Sequence, residues 1–185
     1  MATGRCISEQ TTSTIAGWQP HLRQLLRSAS SSNRIALVGV GHPFRGDDRV
    51  GSYVLKTLLE QMDSTLPEGV YLFDAEEDVE AIITKLADLA PENVIFIDAC
   101  EMRMKPGDTQ FLPIAETSYP FFTTHGIPLK LLAEQLLPRS GVWVLAIQPK
   151  QIDFGEDLTP EVLDAAVSIS RFLTRTLEEE LPIVP

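Results

Sequence analysis

Apolar residues follow two alternating rhythms along most of this chain. Short continuous runs predict strands buried on both faces: R-I-A-L-V-G-V (34–40), V-Y-L-F-D (70–74), V-I-F-I-D-A-C (94–100) and V-W-V-L-A-I (142–147). Between them the spacing turns helical. Val50, Val54, Leu55, Leu58, Leu59 and Met62 mark one helix, and a second follows Asp74 and runs to Leu89. Pro128 opens L-K-L-L-A-E-Q-L-L, and Thr159 with Pro160 and Glu161 starts a last helix that reaches Glu179. K-P-G-D (105–108) is a turn, and T-Q-F-L-P-I reads as an edge strand closed off by Pro113. Strands alternating with helices predict an α/β fold of three layers. Its twisted, mostly parallel sheet has helices on both faces and one edge strand.

The first 33 residues break this rhythm and read as an N-terminal extension. A short amphipathic helix is predicted over 15–27, with Leu22, Leu25 and Leu26 on one side, followed by the serine-rich connector S-A-S-S-S-N. Residues 34–185 then form a single α/β domain, a length sufficient for a proper core.

Composition narrows the function classes. A net charge of −11 argues against nucleic acid as a partner, because such binders carry a basic face. No run reaches the roughly 18 apolar residues of a membrane span, and M-A-T-G-R-C-I-S-E-Q lacks the apolar centre of a secretory signal. Two cysteines, Cys6 and Cys100, fit a reducing compartment, so the expectation is a cytoplasmic protein with no membrane partner.

The candidate chemistry lies where strands end. In V-G-V-G-H-P-F-R-G-D-D-R-V-G (38–51) a strand runs into glycines and then two acids. A complete dinucleotide fingerprint would place glycine at position 44, where Phe44 stands, and Asp47 and Asp48 would repel a pyrophosphate at the following helix. A cation is the better guest. Asp48 follows the first strand, Asp74 closes the second and Asp98 the third, and His125 in T-T-H-G-I-P-L precedes a helix at the same edge. Two carboxylates and an imidazole suit zinc or nickel. Each residue also has an ordinary use: Asp47 or Asp48 as a cap, Asp98 as acceptor for loop amides, His125 as a satisfied polar group, and Cys100 as core.

Taken together, the segments resemble the maturation endopeptidases of nickel–iron hydrogenases. The resemblance covers about residues 34–180. It rests on G-V-G-H-P-F-R-G-D-D-R-V-G against the family's G-x-G-N-x-x-x-x-D-[DE]-x-x-G, on I-D-A after the third strand, on T-T-H-G-I-P-L, and on L-A-I-Q-P-K before the last helix. It implies an endopeptidase that removes the C-terminal extension of a hydrogenase large subunit after nickel insertion. Asp48, Asp98 and His125 would be the metal-contacting and catalytic residues, and Asp74 would recognise substrate. Nickel would be carried by the substrate, with zinc or cadmium able to occupy the same donors. The partner would be the immature large subunit, and the protease a monomer. Two positions depart from the family. His42 replaces asparagine, and D-A-E-E (74–77) replaces D-G-G-[TS], removing backbone freedom and adding charge where substrate would approach. A nickel-checking chaperone that binds the subunit without cutting it is the alternative.

Overall fold

The computed structural model describes residues 17–30, 32–76, 78–117, 123–124, 127–155 and 157–181. In chain order these form α1 (Trp18–Leu26), β1 (Ile35–Val40), a 3-10 turn (Gly46–Arg49), α2 (Val50–Gln61), β2 (Val70–Glu76), α3 (Val79–Leu89), β3 (Asn93–Ala99), β4 (Thr109–Pro113), β5 (Thr123–Thr124), β6 (Ile127–Pro128), α4 (Leu129–Leu136), β7 (Gly141–Ile147) and α5 (Pro160–Glu180). The main sheet has the order β2-β1-β3-β7-β4, and β5 pairs with β6 in a separate two-stranded ladder. β1, β2, β3 and β7 are parallel, whereas β4 joins β7 antiparallel and forms one edge.

Period-two alternation divides the strand residues between two cores. Ile35, Leu37, Ile95, Ile97, Leu145 and Ile147 face one side, where they pack with α1, α2 and α5. Ala36, Val38, Val94, Phe96, Val144 and Ala146 face the other, against Val79, Ile82, Ile83 and Leu86 of α3 and Ala133 of α4. Every residue of β1 is buried, which is why that run reads as continuous rather than alternating. The three-layer, mostly parallel expectation holds, with the edge strand where Pro113 ends it.

The amphipathic helix expected before Arg34 forms as α1, with Leu22 and Leu26 fully buried in the first core. Two local readings shift. Pro128 pairs with Thr123 in β6, so α4 begins one residue later, at Leu129. Neither Asp47 nor Asp48 caps α2, whose N-cap position is Arg49 and which has no side-chain cap bond.

The strand order fixes where a site forms. The chain leaves β1 through α2 to reach β2, then returns through α3 to β3 on the opposite side of β1. The connections from β1 and β3 therefore diverge at their carboxyl ends. That divergence opens a crevice at the topological switch point, the usual place for a site in an open α/β sheet.

Candidate active site at the switch point

The glycines of the first loop serve close backbone approach. A Cβ on Gly51 would lie 1.9 Å from the Ile97 carbonyl oxygen and 2.4 Å from that of Val40. The first turn of α2 thus rests directly on the backbones of β1 and β3. Gly41, at φ +135°, would place a Cβ 1.7 Å from the Asp48 carbonyl oxygen. Only glycine lets the loop fold back so tightly. This packing holds Asp48 against the end of β1, where its Oδ2 accepts the His42 amide at 3.0 Å.

The two adjacent acids have separate fates. Asp47 is fully buried. Its carboxylate accepts the amides of Lys150 (2.8 Å), Gln151 (3.0 Å) and Thr159 (2.7 Å), and the Thr159 hydroxyl at 2.9 Å. It ties the β7–α5 loop to the β1–α2 loop, and the Thr159 hydroxyl goes to Asp47 rather than capping α5. Four donors compensate a carboxylate that water cannot reach.

Asp98, at the end of β3, is 3% exposed. Burial pushes its carboxyl well above the ordinary aspartate range, and the negative charge of Asp48 pushes it the same way. A 2.6 Å hydrogen bond from the Ala99 amide acts in the opposite direction. Asp48 and Asp98 therefore meet as two acids with unfavourable mutual charge, an arrangement that a cation relieves. Among the described residues no group of three His, Cys, Asp or Glu side chains gathers for a metal. His125 lies outside the described residues; on either side of it, Thr124 pairs with Ile127 in the β5–β6 ladder.

Asp74 does not close β2, which continues to Glu76; it pairs with Gly39 of β1 and is exposed. Its Oδ1 accepts the Ser52 hydroxyl from α2 at 2.6 Å and the Glu76 amide at 3.3 Å. Glu76 adopts φ +46°, and its carbonyl accepts the Gly41 amide at 2.9 Å across a register shift in the β1–β2 ladder. Of the two positions where the family motif has glycine, only 76 uses the left-handed region; Ala75 is a buried residue without positive φ.

Sequence reasoning assigned no role to Gln148, although it lies in the quoted L-A-I-Q-P-K segment. It is buried, its Oε1 accepts the amides of Met102 (2.7 Å) and Met104 (3.2 Å), and its Nε2 donates to Glu101 and to the Pro149 carbonyl. It holds the segment leaving β3 next to β7. Cys100 is buried and its thiol contacts the Asp98 carbonyl at 3.7 Å, in keeping with a core role.

The sequence and the fold have counterparts among known proteins. No family model matches the chain. The hydrogenase 3 maturation protease of Escherichia coli K12 is 29% identical over 136 residues, covering 72% of this chain and 84% of that protein. The endopeptidase HycI of Escherichia coli, in its solution structure, is 28% identical with a TM-score of 0.62, covering 77% of this chain and 90% of that one. The chain is a homologue of the hydrogenase maturation proteases. The fold agrees beyond those sequences: the [NiFe] hydrogenase maturation protease HycI of Thermococcus kodakarensis superposes with a TM-score of 0.74 at 23% identity, covering 86% of this chain and 99% of that one. Among the described residues no helix is long and apolar enough to cross a membrane.

Proposed function

We propose that this protein is an endopeptidase that removes the C-terminal extension of a nickel–iron hydrogenase large subunit once nickel has been inserted. The observation that carries the reading is the Asp48–Asp98 pair at the switch point, with Asp98 buried and its charge opposed by its neighbour. Such a pair gains most when a divalent ion arrives with the substrate. In this reading Asp48 and Asp98 ligate the nickel held by the immature subunit, and His125 supplies a third donor. The following helix N-terminus favours the neutral imidazole needed for ligation. Nickel arrives as part of the substrate, zinc or cadmium can substitute in the same donors, and Asp74 contacts the approaching chain.

Ligation uses the ionised Asp98 carboxylate, the form that burial and Asp48 oppose, so an arriving cation favours that form. Bound so, the ion supplies Lewis acidity at the scissile carbonyl or at a water molecule. In this reading Asp48 or Asp98 would accept the proton released by that water. The protease works as a monomer on one large partner.

The test is cleavage of a purified nickel-loaded precursor, read by product mass. The wild-type protein should cut it, while His125→Ala and Asp98→Asn should leave it uncut. Full processing by either variant removes that residue from the mechanism. The chaperone reading draws on Glu76, a charged residue in a left-handed position beside Asp74 where the family has glycine. Wild-type protein that binds the loaded precursor and leaves its mass unchanged would establish that reading instead.

A further inference from the structure

Most large apolar side chains in this protein are buried, but Phe44 and Phe154 are each 69% exposed and Ile152 is 43% exposed. They sit on the two loops that Asp47 ties together, and the two phenylalanines share a centre in His42. The imidazole of His42 meets the Phe154 ring edge-to-face at 5.1 Å and the Phe44 ring at 6.0 Å. The same residue donates its backbone amide to Asp48. The aromatic pair is therefore one residue removed from the acid site.

Hydrogen bonds join the two loops beneath the exposed rings. The Gly155 amide donates to the Phe44 carbonyl at 2.9 Å, and the Asp47 amide donates to the Gln151 carbonyl at 2.9 Å. The Arg45 guanidinium lies over the Phe154 ring at 5.3 Å and reaches the Ile152 carbonyl. Exposed aromatics with an arginine among them have the composition of a binding centre rather than of ordinary surface. On a molecule of net charge −11, the arginine offers a local cation.

We propose that Phe44, Phe154 and Ile152 form an exosite that grips an apolar segment of the hydrogenase large-subunit precursor, with Arg45 facing a carboxylate beside that segment. The assignment rests on the protease reading, because His42 joins this face to Asp48: its ring meets both phenylalanines and its amide donates to the Asp48 carboxylate. The exosite holds substrate and takes no part in bond cleavage.

Phe44→Ser/Phe154→Ser in the full-length protein should raise KM for the nickel-loaded precursor about tenfold or more, as loss of paired aromatic anchors does, and leave kcat unchanged. Leu59→Ser, an exposed apolar residue farther along α2, should change neither constant. Both rings are exposed, so the thermal midpoint of the double variant should match wild type. An unchanged KM overturns the exosite. So does sedimentation that shows a wild-type dimer turned to monomer by the double substitution, since the face would then join two copies of this chain. If wild type captures the precursor but never cuts it, the protease reading fails, and the binding affinities of wild type and double variant still decide the exosite: equal affinities overturn it, and a tenfold gap supports it.

Discussion

Two buried aspartates, Asp47 and Asp98, behave in opposite ways because their environments differ. Asp47 is buried among four hydrogen-bond donors and serves the architecture. Asp47→Ala should cost about 2–4 kcal/mol, the penalty for leaving several buried donors unpaired. Urea unfolding would measure it, and limited proteolysis should find the 149–159 loop opened. Asp98 is the reverse case, since its burial opposes ionisation. In the unfolded chain its carboxyl ionises at the ordinary value, and in the folded protein only at higher pH. Between those values the unfolded state binds fewer protons, so stability falls as pH rises, and the loss is complete above the folded value. Asparagine does not titrate and still accepts from Ala99. Asp98→Asn should therefore melt increasingly above wild type as pH rises from acidic to neutral. Thermal melts of both proteins across that range provide the check, and equal melting profiles would mean that Asp98 is not buried as described.

At the scale of elements, the site depends on how closely α2 and the β1 loop approach the sheet. Gly51→Ala would drive a methyl group into two strand carbonyls, and backbone cannot yield as a flexible side chain can. A loss above about 4 kcal/mol is expected, enough to leave the variant largely unfolded in a denaturation assay. Glu76 presents the opposite opportunity. Glycine there would relieve a left-handed penalty of about 1–2 kcal/mol against about 0.5–1 kcal/mol of added chain entropy. Glu76→Gly should thus stabilise by about 0.5–1 kcal/mol in urea unfolding, and it would restore one glycine of the family's D-G-G-[TS].

For the whole molecule, the question is what anchors the N-terminal helix. α1 lies against α5 through Leu22 and Leu26, with Trp18 edge-to-face on Phe172 at 5.0 Å. Arg23 and Arg27 also reach Glu180. The buried leucines dominate, because exposed ion pairs exchange one hydrated state for another. Leu22→Ala should lower stability by about 2–4 kcal/mol, whereas Arg27→Ala should leave the urea midpoint where it was. A large effect of Arg27→Ala alone would mean that charge, rather than burial, docks the helix.

The hydrophobic rhythm by itself determined the α/β class, the parallel strands and the edge strand, because a strand buried on both faces must be continuously apolar and a crossover helix must repeat near 3.6. Acids at strand ends also marked the region of the site, since parallel strands deliver their carboxyl ends to one side. Pairing was not legible. Nothing in D-D says which carboxylate turns inward to Thr159 and which turns to His42, because that choice depends on a loop a hundred residues away. The same holds for Gln148 receiving the Met102 and Met104 amides, and for Phe44 and Phe154 both meeting His42. Local sequence sets each residue's own preferences, but only the packed chain brings distant donors, acceptors and apolar surfaces into contact.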